Sequence, residues 1–594
     1  MKQKKIIKPY VIIGLAILLL LYPLRHICLG VDIWDTGYNY ANFKYNSLEY
    51  MDSMWFFATW LSNQTGAFLT GLPFGDTVLG LNVYTALFVS VMAVGTFLFC
   101  VYKLKMPILL AFVGEVLACS LCWAPTAILY NYLTYLFLLA GCILLYQGLV
   151  NGKDKYLLLA GILLGLNVAV RFSNLTHMGM ILVVWGYAVI VRKSWRIILK
   201  ETGMCMLGYV IGLGSFLLVM SIRYGFTEYF ESVLRLFEMT EVATDYSPAR
   251  MLLGMVQAYF DCSYWLKRFG LMLVVSTVLC LIAPKRWQMA KKCITLVAAV
   301  LLVYWLSQSN FYLKDYTIYQ SIYYPCVALF ALAILFSGYF ILKRGTDAED
   351  KLKALFVVIL ILIGTLGSNN AMYSGINNTF LVLPFVLYLI WKFCRQEDKV
   401  WFFPMKCVML LAVLIVGVQG VRFGYTFSYE EATGGRNMDT KITGVPTLEG
   451  MITNKEKAEN LTELYNYLEE NGLRDKECIL YGQIPAIAHY MELTPALNIW
   501  SDLRSYGFDV MCRDLEKVRE EITLKGKTPV VIMEISWAEY MQGKRQDAIF
   551  MDETTLKKLE LIRAFLADYG YETGFENDKY VVFSSKYKQI SKNK

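Results

Sequence analysis

The sequence predicts a polytopic α-helical membrane protein that ends in an extracytoplasmic α/β domain, and three observations support this fold class. The 594-residue chain is 57% hydrophobic and only 18% charged, with a mean hydropathy of +0.46, which excludes a string of soluble domains. Apolar runs long enough to cross a bilayer recur from Val11 to about Val421, which predicts about 13 transmembrane helices. Beyond Arg422 these runs stop, and short helix and strand patterns begin.

The charged loops predict the orientation of the chain. Lys2, Lys4, Lys5 and Lys8 precede the first span, and Lys and Arg recur in alternate loops, as cytoplasmic loops show. We therefore expect a multi-pass protein of the plasma membrane with a cytoplasmic N-terminus and, after an odd number of spans, an extracytoplasmic C-terminal domain. The net charge of +8 is spread over many short loops. It therefore indicates the bilayer, and no nucleic acid, as partner.

Two domains are predicted. Residues 1–422 form the membrane domain, whose first outer loop, 30–76, carries the candidate active site, and residues 423–594 form the soluble domain. Thr453 and Glu456 have the spacing of a capping box at the start of its first helix. Alternation and composition predict its other elements: strands at 478–481, 530–535 and 580–583, and a helix at about 555–568.

Two carboxylates follow the first span directly. Asp32 and Asp35 are three residues apart among aromatic side chains, so they would share one face if this segment is helical. Their place just outside the membrane makes both of them candidate functional residues. The alternative is that one of them only caps a short interfacial helix, while Trp34 and Tyr38 belong to the aromatic belt of the membrane.

Arg171 and Lys314 are the candidate phosphate ligands. Arg171 falls at the outward end of a predicted span, where an arginine usually has an anionic partner, and a guanidinium can bind phosphate through two parallel hydrogen bonds. The alternative is an arginine that extends to the interface or pairs with a structural acid. Lys314 is set among tyrosines and could reach the same site, or form a local ion pair with Asp315.

A further outer loop, 367–378, is rich in amide and hydroxyl side chains and has no charge. Such groups match the donors and acceptors of sugar hydroxyls, although Asn, Ser and Gly are also ordinary turn residues. The candidate sugar-binding or acceptor-binding residues in this loop are Asn369, Asn370, Tyr373, Asn377 and Asn378.

A second acid could come from three places. Glu115 lies in the middle of an apolar run and should face the protein interior, Glu228 lies in an amphipathic segment, and Asp315 follows Lys314. With Asp32 and Asp35, such an acid could hold a divalent cation, because hard cations prefer oxygen ligands. The sequence indicates no certain cofactor, and its three histidines leave little material for a histidine-rich metal site.

With this plan of spans, an acidic first outer loop and an outer C-terminal domain, the chain resembles the C-type (GT-C) membrane glycosyltransferases. The resemblance implies that an acid at the start of that loop, Asp32 or Asp35, is catalytic. It also implies transfer of a hexosyl or pentosyl group from a polyprenyl-phosphate-linked donor to an extracytoplasmic glycan, lipid or protein, by inverting single displacement. The chain departs from relatives that carry another acid in the second outer loop, which here spans about 123–126 and has none.

Three alternatives remain at this stage, one of them a non-catalytic scaffold whose C-terminal domain binds a partner. A transporter or flippase of lipid-linked sugars would need polar residues near the bilayer centre or two related halves. The spans are mostly apolar, and no repetition between halves is visible. A polysaccharide polymerase or ligase would share the donor chemistry with a glycosyltransferase.

Overall fold

The computed structural model describes residues 9–122, 129–242, 248–367, 370, 372–428, 437–499, 506–546 and 552–585. The first part of the chain is helical and ends at Thr426. Its helices are α1 (Pro9–Leu21), α2 (Asp35–Lys44), α3 (Ser53–Ala58), α4 (Trp60–Thr70), α5 (Val78–Leu98), α6 (Ile108–Leu121), α7 (Leu129–Asn151), α8 (Asp154–Val170), α9 (Ile181–Ile190), α10 (Trp195–Arg223), α11 (Phe226–Val242), α12 (Pro248–Asp261), α13 (Ser263–Ile282), α14 (Gln288–Gln308), α15 (Gln320–Leu342), α16 (Ala348–Ile363), α17 (Met372–Asn377), α18 (Val382–Gln396) and α19 (Phe403–Thr426).

Nine helical stretches of the described residues are long and apolar enough to cross a membrane, so the chain is a multi-pass helical membrane protein, as predicted. They are Pro9–His26, Val78–Lys103, Leu129–Asn151, Phe172–Ile190, Trp195–Arg223, Ser263–Ile282, Gln288–Gln308, Gln320–Leu342 and Val400–Thr426. Where other spans were predicted, the helices α6, α8, α16 and α18 have 14, 17, 16 and 15 residues. They are shorter than the roughly 20 residues that a straight span needs.

Glycine residues bring the backbones of α8 and α10 into contact. A Cβ atom on Gly161 would lie 2.1 Å from the carbonyl oxygen of Cys205, and one on Gly208 would lie 2.1 Å from that of Leu158. Gly165 and Gly212, one turn further along each helix, are equally close to the facing backbone. Two facing glycine pairs at four-residue spacing are a typical contact between membrane helices, because dispersion forces grow as backbones approach.

The C-terminal domain is an α/β domain, as predicted. Its elements are β1 (Thr440–Lys441), β2 (Ile452–Thr453), α20 (Lys455–Glu470), β3 (Glu477–Tyr481), α21 (Ile487–Tyr490), β4 (Thr494–Pro495), α22 (Phe508–Lys525), β5 (Val530–Glu534), α23 (Ile535–Met541), α24 (Glu553–Asp568), β6 (Tyr571–Glu576) and β7 (Tyr580–Ser585). The main sheet has the order β4-β3-β5-β7-β6, in which β3 runs parallel to β4 and β5, and β7 runs antiparallel to β5 and β6.

Alternate residues of the strands β3 and β5 belong to two separate apolar clusters. Leu480 and Ile532 belong to the cluster that includes Val31 and Tyr40 of the first outer loop, whereas Tyr481 and Met533 pack under α22 and α24. One face of the sheet therefore rests on the membrane domain. We call the end of the helical bundle that carries α2, α3, α4 and this domain the tail end.

The N-terminal cap of the first helix of the C-terminal domain lies one residue later than predicted. The capping residue is Asn454, whose side-chain oxygen accepts a hydrogen bond from Lys457 N at 2.8 Å, while Thr453 is the last residue of β2. Both Thr and Asn cap helices, so only the geometry separates the two. The helix buries one apolar face, at Leu461, Leu464, Tyr465 and Leu468.

We expect Gly161→Leu to lower the free energy of unfolding by about 1–3 kcal/mol, because the added side chain would push α8 and α10 apart. The thermal unfolding midpoint of the detergent-purified protein measures this. Gly203→Leu on α10 is the matched control, since a Cβ there has no neighbour within 4 Å. Equal midpoints for the two variants would contradict the glycine contact.

Candidate active site

Asp32 lies in the extended segment between the first span and α2, and its side chain caps that helix. Oδ1 accepts a hydrogen bond from Trp34 N at 2.8 Å, and Oδ2 accepts one from Thr36 N at 2.6 Å. Only 3% of the residue is exposed. Unpaired backbone N–H groups at the start of a helix favour a carboxylate. This geometry matches the alternative that one of the two aspartates caps a short helix.

Asp35 is the first residue of α2 and is half-buried. The hydroxyl of Tyr38 lies within electrostatic reach of Asp52, Tyr130 and Asp35. Burial raises the pKa of Tyr38, and the neighbouring carboxylates act in the same direction, so this phenol stays neutral near pH 7. Trp55 packs edge-on against the Tyr38 ring, with centroids 6.4 Å apart. Asp35 therefore has aromatic side chains on one side.

Arg171 is the residue at which α8 ends. Its backbone is extended, at φ −154° and ψ 127°, and its guanidinium carbon lies 5.1 Å from the centroid of the Tyr130 ring. Such a contact stabilises a cation without neutralising it. Within the described residues the Arg171 guanidinium forms no ion pair. Because Tyr130 and Asp35 both act electrostatically on Tyr38, Asp35 and Arg171 lie near the same pair of tyrosines, although they come from distant parts of the chain.

A buried polar network fixes the chain on both sides of Arg171. Asn174 Nδ2 donates to Asn167 Oδ1 at 3.0 Å and to Thr134 Oγ1 at 2.8 Å. Asn167 Nδ2 donates to the Thr134 carbonyl at 3.1 Å and lies 3.1 Å from His177 Nδ1. All four side chains are buried. The network ties α8, the following 3₁₀ helix and α7 together, so the position of the guanidinium is set by hydrogen bonds as well as by packing.

The predicted sugar-binding residues are divided between exposed and structural positions. Asn369 lies outside the described residues. Asn370 is exposed, and Asn378 is half-buried, with its backbone N–H donating to Gly375 O at 3.3 Å. The neighbouring Gly367 approaches the 3₁₀ helix after Arg171, where a Cβ would lie 3.0 Å from Ser173 O. This loop therefore borders the Arg171 segment.

The other two predicted residues of this loop make internal contacts. The Tyr373 hydroxyl donates to Gln320 Oε1 at 2.7 Å. Asn377 is fully buried, and its Nδ2 donates to the Tyr135 hydroxyl at 3.1 Å. Tyr135 itself lies within electrostatic reach of Arg171. Asn377 is therefore linked to the site through α7, whereas Tyr373 supports the packing of α15 and α17.

Lys314 and Asp315 lie in the turn before α15, and both are exposed. Asp315 Oδ1 accepts hydrogen bonds from Thr317 N at 3.1 Å and Thr317 Oγ1 at 2.5 Å, as a turn-stabilising aspartate does. Lys314 makes no hydrogen bond or ion pair with the described part of the chain. Among the described residues Lys314 forms no ion pair with Asp35, and Asp315 stabilises its own turn.

The remaining candidate acids do not join Asp32 and Asp35. Glu228 is exposed on α11, and Glu115 is fully buried in α6, where neither carboxylate oxygen has a hydrogen-bond partner. Glu115 faces the bundle interior, as expected: a Cβ on the adjacent Gly114 would lie 2.9 Å from Pro384. The described residues hold no group of three or more His, Cys, Asp and Glu side chains suited to a metal ion. The divalent cation therefore stays a prediction, and the described residues offer no such cluster to bind it.

One acid near the site, Asp52, was not predicted from the sequence. Asp52 caps α3 by accepting a hydrogen bond from Met54 N at 3.0 Å, and its Oδ2 lies 3.0 Å from Arg235 Nη2 on α11. Its side chain is only 4% exposed. A capping residue before the short apolar run of Met54 to Ala58 is a visible signal. The pairing with Arg235 is not, because it depends on how α11 packs against α3.

An apolar cavity of about 380 Å³ lies between α13, α15, α18 and α19. Its lining includes Leu273, Val278, Tyr339, Phe393, Trp401 and Met405. Tyr339 is near the last turn of α15, whereas Tyr319, which precedes the first turn, packs against Phe427 at the tail end. The cavity is therefore at the opposite end of the bundle from Asp35 and is not part of the candidate site.

The C-terminal domain packs directly on α2. A Cβ atom on Gly37 would lie 2.0 Å from the Cβ of Ala486, so the backbone of α2 at Gly37 contacts the Ala486 side chain directly. The His489 ring contacts Tyr40 edge-on, with centroids 6.2 Å apart. His489 is fully buried, and neither ring nitrogen has a hydrogen-bond partner. Burial lowers the pKa of His489 to about 3, with the nearby Lys44 acting in the same direction.

We expect His489 to make the protein less stable in acid. The folded chain keeps the ring neutral down to about pH 3, whereas the unfolded chain protonates it near pH 6.5. Stability is therefore complete above pH 6.5 and falls by up to about 1.4 kcal/mol per pH unit below it. Thermal unfolding midpoints at pH 7.5 and 5.0 measure this. His489→Phe, which keeps the ring contact, should shrink the difference, and an unchanged difference would refute the assignment.

Comparison with known proteins gives structural likenesses. No protein-family model and no curated protein matches the chain. The Archaeoglobus fulgidus oligosaccharyltransferase in complex with Zn and sulfate is similar at 12% identity and a TM-score of 0.45, over 90% of this chain and 69% of that one. The same enzyme tethered to an acceptor peptide with the NVT sequon is similar at 12% identity and a TM-score of 0.47, over 97% of this chain and 74% of that one. ArnT from Cupriavidus metallidurans bound to undecaprenyl phosphate is similar at 12% identity and a TM-score of 0.34, over 97% of this chain and 97% of that one. Because these scores are low, the likenesses assign no function to this chain.

Proposed function

We propose that this protein is an integral membrane glycosyltransferase that moves a sugar from a polyprenyl-phosphate-linked donor to an extracytoplasmic acceptor. The observation that carries the proposal is that Asp35 and Arg171 lie near the same two tyrosines. Asp35 acts electrostatically on Tyr38, which Tyr130 also neighbours. Arg171 packs on the Tyr130 ring and forms no ion pair with the described residues. Both residues lie at the tail end, where α8 ends and α2 begins. An acid and a cation at a membrane boundary are the two groups that this transfer requires.

Asp35 is the proposed base. Both oxygens of Asp32 already accept backbone hydrogen bonds within the first turn of α2, whereas Asp35 is half-buried at the start of the helix. In the reaction, an acceptor hydroxyl attacks the anomeric carbon, the bond from that carbon to the phosphate oxygen breaks, and the hydroxyl proton passes to the Asp35 carboxylate. A single displacement of this kind inverts the anomeric centre.

Arg171 is the proposed ligand of the donor phosphate. The leaving polyprenyl phosphate gains negative charge as the glycosidic bond breaks, and a guanidinium can bind two of its oxygens in parallel. Because Arg171 rests on a tyrosine ring and no acid in the described residues neutralises it, its charge stays available for an anion. Lys314 is a weaker candidate for the same role, because it is exposed in a different loop.

The loop beside Arg171 is the proposed place of the sugar. Asn370 and Asn378 offer amide groups there, and Asn377 positions Tyr135 within reach of the guanidinium. Neutral amide and hydroxyl groups suit a hexosyl or pentosyl group, whose hydroxyls both donate and accept hydrogen bonds. The acceptor is a glycan, a lipid or a protein.

Asp35→Asn should lower turnover at least about 100-fold, because the amide cannot take the acceptor proton. The assay uses proteoliposomes and a panel of radiolabelled polyprenyl-phosphate hexoses and pentoses, and it measures released polyprenyl phosphate and new glycoside. Asp32→Asn is the matched control. It should cost about 1 kcal/mol of unfolding free energy through the weakened cap and retain turnover within about tenfold. Normal turnover in Asp35→Asn would rule out this base.

Arg171→Gln should lower kcat/KM for the donor by about 10- to 100-fold, because a charge-assisted hydrogen bond to phosphate is lost. Arg171→Lys should recover part of it, since an ammonium keeps the charge but not the paired geometry. Arg223→Gln is the control: this arginine also ends a helix and also packs on a tyrosine ring, with its guanidinium carbon 5.3 Å from the Tyr224 centroid. Equal kinetics for Arg171→Gln and Arg223→Gln would contradict the assignment.

The same proteoliposomes distinguish the alternative of a transporter or flippase. That activity moves the labelled lipid-linked sugar across the bilayer without releasing polyprenyl phosphate or forming a glycosidic bond. Movement of label without bond formation would replace the proposal. Bond formation that requires Asp35 would support it.

A further inference from the structure

The C-terminal domain supplies hydrogen-bond partners to the backbone of the segment between the first span and α2. Ile452 N donates to Cys28 O at 2.7 Å, and Gly30 N donates to Ile452 O at 2.9 Å, so β2 runs beside the segment as a partner strand. Gly30 has a φ of 86°, a conformation that favours glycine. Buried backbone N–H and C=O groups must find hydrogen-bond partners, and here these partners come from the C-terminal part of the chain.

Three consecutive carbonyl groups continue this pattern up to the start of α2. Each accepts a hydrogen bond from a different donor of the C-terminal domain: Val31 O from Lys457 Nζ at 3.1 Å, Asp32 O from the Tyr490 hydroxyl, and Ile33 O from Ala486 N at 3.1 Å. The donors belong to α20, to α21 and to the loop before α21. We call them the carbonyl clamp.

The clamp is anchored in the core of the domain. Glu534, at the carboxyl end of β5, is 2% exposed, and it accepts hydrogen bonds from Gln483 N at 3.1 Å and from Lys579 Nζ at 2.6 Å. Gly482 packs so tightly that a Cβ there would lie 2.5 Å from the Glu534 Cβ. The loop that carries Ala486 is therefore held at its start by an ion-paired carboxylate of the sheet.

We infer that the C-terminal domain is the positioning element of the active site, with Lys457 and Tyr490 as its positioning residues. The clamp fixes the backbone on which Asp32 sits, the Asp32 carboxylate fixes the first turn of α2, and Asp35 opens that turn. A displacement at residues 31–33 is therefore transmitted to Asp35 over a few bonds. This inference rests on the proposed function for its consequence in catalysis, and on geometry alone for its consequence in structure.

The test uses the full-length protein in nanodiscs and two readouts. Amide hydrogen exchange of peptides covering residues 28–45 reports the structure, and kcat and KM for the polyprenyl-phosphate sugar report the chemistry. Lys457→Met and Tyr490→Phe each remove one donor and keep most of the side chain. Each should speed exchange of the 34–38 amides about tenfold and lower kcat per folded molecule by a similar factor, while KM stays within about twofold. Lys457→Arg, which keeps a donor, should restore both.

The controls lie on the same helix. Lys455 pairs with Glu459 on the surface, and Tyr467 stacks on Phe575, so Lys455→Met and Tyr467→Phe alter α20 without touching the clamp. A purely structural role would lower the unfolding midpoint and leave exchange at 34–38 and kcat per folded molecule at wild-type values. That result, or faster exchange with unchanged kcat, overturns the inference. Normal turnover in Asp35→Asn overturns the proposed function instead, and the exchange readout is independent of that outcome.

Discussion

The candidate site depends on one constraint: an extended backbone segment at the edge of a membrane protein must have its polar groups satisfied. Residues 28–33 cannot do this within themselves, because they form neither helix nor hairpin. The C-terminal domain satisfies them from β2, α20 and α21, and the Asp32 carboxylate then satisfies the first N–H groups of α2. The acid, its helix and the domain that follows the last span thus form one hydrogen-bonded unit.

Much of the fold was predictable from hydropathy, since a bilayer demands long apolar helices. The nine long spans of the described residues were visible in the sequence. The short helices reflect tertiary detail: α8 ends before Arg171, where Asn167, Asn174 and His177 form a buried network. Strand alternation also predicted the central strands of the C-terminal domain within a residue or two. The cap of α20 was missed by one residue, because Thr453 and Asn454 are both good caps.

The site was only partly predictable. Asp32 and Asp35 looked equivalent in sequence, and only hydrogen-bond geometry distinguishes the capping carboxylate from its neighbour. Arg171 was visible as a charge at membrane depth, but its Tyr130 contact was not, since it joins α8 to the start of α7. The partner of Asp52 and the donors Lys457 and Tyr490 come from regions far apart in the chain. A single sequence gives no sign of such pairings.

The contact of Gly37 with Ala486 has a consequence for how this protein can be altered. With the Ala486 methyl group against the Gly37 backbone, there is no space for a larger side chain at either residue. A C-terminal domain taken from another chain could not be grafted here as an interchangeable module unless it brought an equally small side chain to that point. A change of residue on one side of this contact would therefore require a matching change on the other side.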